Sequence, residues 1–292
     1  MPTVQLSDRT LLRIEGPDAE HFLQNILTTD LDALGTGEAK PGALLSPQGK
    51  ILFDFLIARD GDNAFLLDCR RELADDFLRR LMLYRLRAKA DISKQDQLLV
   101  HAFWDIDSGG SQNDSSSGSL RYRDTRFPAS LGVTRLYGDG VATDADQDAW
   151  SRLKIQHGVA ESGSDYEAGD AFPHDVLLDQ SDGVGFRKGC YVGQEVVSRM
   201  QHRGTARRRV MIVTSEQDLP RGTSEVRANE KTIGALGSAN GADGLAIMRI
   251  DKVRDAIDGG HAITIGGVPV TLSIPSWARY TLPQTDAGAD DA

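Results

Sequence analysis

The pattern of the sequence changes at Arg208, and this change constrains the fold more than any other feature. From Arg208 to Ile274, short apolar runs alternate with turn signals such as Gly266-Gly267. The runs are RRVMIV, SEVRAN, KTIGALG, GLAIMRI, AITI and VPVTLSI. Short strands at this spacing are typical of small barrels and sandwiches. The sequence therefore predicts an all-β barrel domain of about six strands over residues 206–283.

Upstream of the predicted barrel, helical and strand patterns alternate, which predicts an α+β architecture for the whole chain. Residues 1–107 are expected to form a first α/β domain and residues 120–205 a second one. The polar Gly/Ser run at 108–119 is predicted to be a flexible linker or loop. The acidic residues 284–292 are predicted to be a disordered tail.

Apolar residues at helical spacing predict two amphipathic helices in the first domain. The first helix is expected to bury Ala19, Phe22, Leu23, Ile26 and Leu27 on one face. The second helix is expected to carry Leu73, Phe77, Leu78, Leu81 and Met82 on one side. Further predicted elements are a β-hairpin at 43–59, strands at 64–69 and 87–92, and helices at 147–157 and 193–200.

Composition argues against several classes of protein. No stretch of the 292 residues approaches the roughly 20 apolar residues of a membrane span, so we expect no membrane association. No secretory signal is visible, and two distant cysteines are typical of a reducing compartment, which predicts a cytoplasmic protein. The net charge of −10 argues against direct binding of nucleic acid, because affinity for a polyanion rests on cations.

One segment departs from the acidic average. Residues 187–209 contain seven Lys and Arg side chains and one carboxylate, a local charge of +6 that leaves −16 for the rest of the chain. We call this segment the basic island. It could receive an anionic ligand, or its arginines could lie on solvated faces of helices and strands.

Cys190 lies inside the basic island, and its chemistry has three interpretations. A hydrolytic nucleophile needs a base within reach, and the sequence does not place any histidine beside it. Zinc and iron–sulfur sites take about four protein ligands, so one thiol cannot complete such a site alone. A buried packing role is the third interpretation, and it is the one we expect for Cys69, which ends an apolar strand. The preceding cations Arg187 and Lys188 would favour a Cys190 thiolate.

The segment KGCYVGQE at 188–195 resembles the signature of the YgfZ family, folate-binding proteins related to the T-protein (aminomethyltransferase) of the glycine cleavage system. Other segments are similar to family segments in the same order, and together they span roughly residues 3–280. They are FLQNILTTDL at 22–31, SPQGKILFDFLI at 46–57, WSRLKIQHGVAESGSDY at 150–166 and SRMQHRG at 198–204.

This resemblance implies a three-domain, T-protein-like arrangement around a central channel, with a C-terminal β-barrel. It implies tetrahydrofolate or a derivative as ligand, in a site to which the first domain contributes. It also implies a role in assembling or maintaining iron–sulfur clusters, and thereby in iron–sulfur-dependent tRNA modification. An iron–sulfur carrier protein of the A type is the partner that this role implies, and a transient cluster shared with it would be a second cofactor.

The resemblance also assigns roles to individual residues. Cys190 would be the working thiol and a shared iron–sulfur ligand, with Lys188 favouring its thiolate. Gly189 and Gly193 would shape the turn, while Gln194 and Glu195 would orient the loop or meet the ligand. Tyr191 could stack on a pterin, although packing is the expectation for most aromatic residues. The candidate folate-binding residues are Asp54, Gln156, Arg199 and Arg203.

A folate-dependent aminomethyl or one-carbon transferase of the T-protein type is the alternative function. Two departures weaken it and favour a protein that is not an enzyme. The T-protein hairpin carries two adjacent acids, whereas this chain has Phe53-Asp54. Where the T-protein has a Glu that pairs with the pterin edge, this chain has Gln156, whose amide offers one acceptor instead of two.

Overall fold

The computed structural model describes residues 2–104, 119–139, 141–222 and 224–284. Nearly all of the predicted linker at 108–119 and of the predicted tail at 284–292 lies outside the described residues. The chain divides into two compact units. Unit 1 comprises Met1–Trp150, Ala168–Pro173 and Ser181–Arg199, and unit 2 comprises Ser151–Glu167, His174–Gln180 and Met200–Ala292. The finer domain boundaries predicted at 107, 119 and 205 stay predictions.

Unit 1 is built on one mixed sheet, which has nine strands among the described residues. The strands are β1 (Thr3–Gln5), β2 (Arg9–Glu15), β3 (Glu38–Leu45), β4 (Ile51–Arg59), β5 (Ala64–Arg70), β6 (Asp91–Lys94), β7 (Val100–Phe103), β8 (Leu120–Asp124) and β9 (Thr134–Tyr137). Their spatial order is β1-β7-β9-β8-β3-β4-β5-β2-β6. All neighbours are antiparallel except β3 and β8. The predicted hairpin at 43–59 is confirmed as β3 and β4, which pair from Ala39–Ala58 to Leu45–Ile51 with a register shift between Leu44 and Leu45.

Five helices accompany the strands in the described parts of the chain. They are α1 (Ala19–Gln24), α2 (Ala74–Arg85), α3 (Gln147–Gln156), α4 (Gln194–Arg203) and α5 (Ile250–Asp258). None of them is long and apolar enough to span a membrane. The apolar residues predicted for the first helix are all buried, but α1 ends at Gln24. Beyond this end, Leu27 forms an isolated β-bridge with Leu44 of β3.

Helix α2 covers one face of the sheet with an aromatic core. The ring of Phe77 stacks on Phe53 and Phe55 of β4, with centroid distances of 4.7 and 5.6 Å. The prediction for α2 is wrong at two residues, because Leu73 precedes the helix, which begins at Ala74, and Met82 is 43% exposed. Successive helix positions lie about 100° apart, so Met82 faces away from the core that buries Leu81. The predicted strand at 87–92 is also displaced, since β6 pairs with β2 only from Asp91 onward.

The opposite face of the sheet buries a cluster of ion pairs. Asp68 points to this face because its neighbour Cys69 belongs to the aromatic core and side chains alternate along a strand. The guanidinium of Arg9 donates to Asp68 at 2.7 Å, and that of Arg135 lies 3.5 Å from the same carboxylate. Arg135 also donates to Asp124 at 3.2 Å, so the cluster joins the central strands to β8 and β9.

Within this cluster, the buried carboxylate of Asp124 accepts hydrogen bonds from two guanidinium groups, those of Arg126 and Arg135. Burial works against its ionised form, but Arg126 at 2.8 Å and Arg135 outweigh that effect and hold the pKa of the carboxyl below its ordinary value. Removing one charge from such a group leaves the partner charges buried and uncompensated.

We therefore expect Asp124→Asn to lower the free energy of unfolding by about 3–5 kcal/mol, the range typical of a broken buried ion pair. The control is Asp76→Asn, whose partner Arg79 is on the surface; there the loss should stay below about 1 kcal/mol. Denaturant unfolding of the two variants measures both quantities. Equal small losses would contradict a stabilising role for the cluster.

Unit 2 contains the predicted barrel, which is confirmed as a closed barrel of six strands. The strands are β10 (Arg208–Ser215), β11 (Ser224–Ala228), β12 (Lys231–Asn240), β13 (Asp243–Arg249), β14 (Ile263–Ile265) and β15 (Val268–Ser273). Their order around the barrel is β10-β13-β12-β11-β14-β15. Helix α5 follows β13 and was not predicted from the sequence. It buries Ile250, Val253 and Ala256, and the last two belong to the barrel core.

Candidate functional site

Cys190 lies on a loop of unit 1 that runs from Gly183 to the start of α4 at Gln194. The loop has no regular secondary structure, and the thiol-bearing residue is exposed. Its two ends are attached to different parts of unit 1 by distinct contacts. These contacts decide how firmly the loop presents the thiol.

The first attachment joins the loop to the segment between α1 and β3. The hydroxyl of Thr28 donates to the carbonyl of Gly183 at 2.7 Å, and the amide of Gly185 donates to the carbonyl of Thr28 at 2.8 Å. The ammonium of Lys188 donates to the carbonyls of Leu27 and Thr29 at 2.8 and 2.7 Å. Four hydrogen bonds therefore fix residues 183–188 on this segment.

The surroundings of Lys188 also change the pKa of its ammonium group. Burial lowers the pKa of this lysine to about 8, although Asp30 and Asp32 act in the opposite direction. Its ammonium lies 5.5 Å from the centre of the Tyr191 ring, in cation–π geometry. Lys188 is thus a positioning residue for the loop in this structure. A further effect of its charge on the Cys190 thiol stays a prediction.

The second attachment joins the end of the loop to the turn of the β3–β4 hairpin. Gly193 has a φ of +81°, and a Cβ at this position would lie 2.6 Å from the carbonyl oxygen of Ser46. Gly49 of the turn has a φ of +80°, and its own Cβ would lie 3.0 Å from Val196. Only glycine meets both requirements of positive φ and close approach. Gly189 has no such constraint, since a Cβ there would meet no atom within 4 Å.

Two residues between the attachments, Tyr191 and Val192, pack inward, whereas Gly189 and Cys190 are exposed. Tyr191 is 7% exposed, and burial raises the pKa of its phenol above the ordinary value, which agrees with a packing role. Val192 packs against the aromatic core of unit 1. Cys190 therefore stands exposed between the anchored Lys188 and the buried Tyr191.

The second cysteine differs from the first in its burial. Cys69 is 2% exposed on β5, and burial raises the pKa of its thiol to about 12. A thiol must ionise to act as a nucleophile or a metal ligand. Cys69 is thus a packing residue, as its sequence context predicts.

This difference predicts selective labelling in the native protein. A thiol reagent such as iodoacetamide should modify Cys190 and leave Cys69 unmodified until the protein unfolds, because the reagent requires an accessible thiolate. Mass spectrometry of peptides after labelling with and without denaturant measures the two sites separately. Native labelling of Cys69, or protection of Cys190, would contradict the structure.

The two glycines of the motif give a matched pair of substitutions. Gly193→Ala should lower the free energy of unfolding by about 1–3 kcal/mol, because the new Cβ meets both strain at positive φ and the Ser46 carbonyl. Gly189→Ala should change it by less than about 0.5 kcal/mol, the usual range for a substitution in open surface. Denaturant unfolding measures both losses. Equal losses for the two variants would show that the contact of Gly193 with the hairpin is not required for stability.

The other predicted site residues do not all lie in the surroundings of Cys190. Glu195 and Arg199 lie one turn apart on α4 and form an exposed ion pair, with 2.6 Å between the guanidinium Nη2 and the carboxylate Oε1. Gln194 is the first residue of that helix. Asp54 on β4 is half-buried, and alternation places it on the face of the sheet opposite Phe53. Gln156 and Arg203 are exposed and belong to unit 2.

The basic island is less available than its charge indicates. Arg209 is 8% exposed in unit 2, where it donates to Asp179 and to the carbonyl of His174, both at 2.7 Å. Arg208 lies 3.8 Å from Asp175. These arginines hold residues 174–179 of unit 2 against the barrel, so part of the island is structural.

Unit 2 also contains a cavity of about 390 Å³ that the sequence did not predict. Its lining includes His174, Gln201, Arg209 and Arg279. Burial lowers the pKa of His174, which keeps its ring neutral at physiological pH. These residues come from separate parts of the chain, so no local motif could have predicted the cavity. Across the described residues, no group of three or more His, Cys, Asp and Glu side chains is arranged to hold a metal ion.

Comparison with protein families matches two parts of the chain. Residues 207–280 match the model of the CAF17 C-terminal beta-barrel domain, and residues 4–97 match that of the GCVT N-terminal domain. A relative from Pyricularia oryzae, named iron-sulfur cluster assembly factor IBA57 homolog, mitochondrial, is 31% identical over 343 aligned residues. The alignment covers 97% of this chain and 86% of the relative. The chain belongs to the CAF17/IBA57 family.

Further comparisons agree with this assignment. The human protein named iron-sulfur cluster assembly factor IBA57, mitochondrial, is 29% identical over 303 residues, covering 94% of this chain and 84% of the human one. The aminomethyltransferase T of the glycine cleavage system from Bartonella henselae has a TM-score of 0.68 at 15% identity, covering 95% and 86% of the two chains. This likeness shows the fold alone, and it confirms the predicted T-protein-like fold.

Two predictions need correction. The relatives carry the name IBA57, so the predicted membership of the YgfZ family is right only in the wider sense that IBA57 is a relative of YgfZ. The prediction of a cytoplasmic protein is contradicted, because the relatives are named as mitochondrial proteins. Widely spaced cysteines indicate a reducing environment, and that pattern does not separate the cytosol from another reducing compartment.

Proposed function

We propose that this chain is an iron–sulfur cluster assembly factor in which Cys190 supplies one ligand to a cluster shared with a carrier protein. The observation that carries the proposal is the exposed thiol on a loop anchored at both ends. It is supported by relatives that are named iron–sulfur cluster assembly factors.

Ligand counting explains why the cluster would be shared. An iron–sulfur cluster takes about four protein ligands, mostly thiolates. The chain has two cysteines, and Cys69 is buried with a pKa raised to about 12. The remaining ligands would therefore come from the carrier, for which an A-type protein is the candidate. On binding iron, the Cys190 thiol loses its proton to solvent and forms one Fe–S bond, with no change of redox state.

The anchored loop suits such a transfer. Ordering a flexible loop on binding costs conformational entropy, and a loop held by Lys188 and Gly193 has already lost that freedom. The thiol would meet the cluster without rearrangement of the buried neighbour Tyr191. The exposed position also leaves room for a carrier protein to approach.

Tetrahydrofolate, or a derivative of it, is a second part of the proposal. Asp54 offers a carboxylate that can accept hydrogen bonds from pterin N–H groups. The fit of the other candidates is weaker: Arg199 is already paired with Glu195, and Gln156 offers an amide in place of a carboxylate. Folate would thus bind as an accessory ligand, and no step of cluster transfer depends on it.

A one-carbon transferase of the T-protein type remains the alternative, and the structure weakens it. The place of the second hairpin acid is occupied by Phe53, whose ring stacks on Phe77 at 4.7 Å. This position therefore serves the core. Delivery of clusters to tRNA-modifying enzymes stays a prediction about the clients of the protein.

Complementation tests the proposal directly. In a strain that lacks the protein, the wild type should restore the activity of a [4Fe–4S] enzyme, and Cys190→Ala should leave it at the level of the empty strain. Cys69→Ala is the control, because it removes a thiol that cannot reach a cluster. Immunoblots should show equal amounts of the three proteins, and tetrahydrofolate binding by Cys190→Ala should match that of the wild type.

Full rescue by Cys190→Ala would overturn the role of the thiol. Formation of a one-carbon tetrahydrofolate product by the purified protein, independent of Cys190, would favour the transferase.

A further inference from the structure

The cavity of unit 2 is bounded by segments that lie far apart in the sequence. Most of its lining comes from residues 174–180, from residues 200–206 at the end of α4, and from residues 279–281, all of which belong to unit 2. The backbone amide of Arg279 donates to the side-chain oxygen of Gln180 at 2.6 Å, which ties the last of these segments to the first. The volume of about 390 Å³ lies in the range of pockets that bind small molecules.

Arg209 lines this cavity and has one edge of its guanidinium without a hydrogen bond from the protein. Within the described residues, all of its hydrogen bonds come from Nη1, which donates to the carbonyl of His174 and to both carboxylate oxygens of Asp179 at 2.7–2.9 Å. The buried Nε has no partner among these residues. The edge that carries Nε and Nη2 is the one that binds a carboxylate through two parallel hydrogen bonds.

The contacts of Arg209 hold this edge in place. The guanidinium carbon lies 5.4 Å from the centre of the Tyr280 ring, and the Tyr280 hydroxyl donates to the carbonyl of Val210 at 2.7 Å. The ion pair with Asp179 already compensates the charge of Arg209. A buried N–H group without a partner destabilises a fold, and native proteins keep few such groups. An acceptor bound in the cavity would supply the missing partner.

The charge of the lining indicates what kind of acceptor fits. Asp179, Arg209 and Arg279 are its charged residues, because burial keeps the ring of His174 neutral, so the cavity has a net charge of +1. Within the described residues, the exposed guanidinium of Arg279 forms no ion pair. A single positive charge matches one carboxylate, whereas a phosphate group carries roughly −1.5 to −2 at pH 7.

We propose that the cavity of unit 2 binds a small organic carboxylate. The Nε–Nη2 edge of Arg209 receives the two carboxylate oxygens, and Arg279 supplies the compensating charge. Met200 and Ile250 form the apolar part of the lining and contact the carbon chain of the ligand. The site uses neither Cys190 nor a cluster, so it goes beyond the proposed function and is tested apart from it.

Butyrate is a suitable probe, because it joins one carboxylate to a short apolar chain. Saturation-transfer difference NMR with the full chain should detect binding of butyrate. Butyramide, which has nearly the same shape without the charge, should bind much more weakly. Sodium chloride keeps the ionic strength equal in the two titrations, because salt screens exposed charges such as Arg279.

Arg279→Gln removes the uncompensated charge of the cavity. This variant should bind butyrate about tenfold more weakly than the wild type, because hydrogen bonds to charged groups are the stronger ones. Arg221→Gln is the matched control, since Arg221 is an exposed arginine of unit 2 outside the lining of the cavity. Its affinity for butyrate should equal that of the wild type.

Arg209→Lys tests the guanidinium edge itself. Lysine keeps a positive charge for Asp179, but it lacks the planar pair of donors. Its affinity for butyrate should also fall about tenfold, the loss expected from a charge-assisted hydrogen bond. Thermal unfolding checks the fold of this variant. Because Arg279 is exposed, Arg279→Gln keeps the test decisive if Arg209→Lys folds poorly.

Three results would overturn the carboxylate site. They are no binding of butyrate by the wild type, equal binding of butyrate and butyramide, and an affinity of Arg279→Gln equal to that of the wild type. Tighter binding of inorganic phosphate than of butyrate, lost in the same two variants, would overturn the choice of a carboxylate in favour of a phosphate.

Discussion

The position of the Cys190 loop depends on the close approach between Gly193 and the turn of the β3–β4 hairpin. A side chain at Gly193 would lie 2.6 Å from the carbonyl oxygen of Ser46, so this contact exists only because both φ and space are left to glycine. Together with the hydrogen bonds of Lys188, it fixes a loop whose middle residue, Cys190, is exposed. The exposed thiol is thus positioned by backbone packing at one end of the loop and by the Lys188 side chain at the other.

The hairpin can serve as this support because the sheet beneath it is held on both faces. One face carries the stacked rings of Phe53 and Phe77, and the other carries the buried ion pairs of Asp68 and Asp124. Buried charges are tolerated here because every carboxylate meets a guanidinium.

Patterns within short windows were predictable from the sequence, and long-range pairings were not. The hairpin, the six barrel strands and the packing role of Cys69 follow from alternation, turn residues and burial tendencies. The ion pair of Asp124 with Arg135 joins residues of a charged region with little periodicity, so β8 and β9 had no apolar pattern to reveal them. Met82 was placed on the wrong side of α2 because the helix carries apolar residues on two sides, and spacing alone does not say which side is covered. The sequence identified Cys190, but the opposing contacts of Lys188 and Gly193 required coordinates.

The central claim is that Cys190 is a ligand of a cluster bridged to a carrier protein. Native mass spectrometry of the full chain mixed with a cluster-loaded carrier tests it most directly, because iron and sulfide add a defined mass to the complex. The account predicts a complex of the two proteins that retains the cluster mass for the wild type and loses it for Cys190→Ala, while the Cys69→Ala complex keeps it. A Cys190→Ala complex that carries the same cluster mass as the wild type would contradict the account.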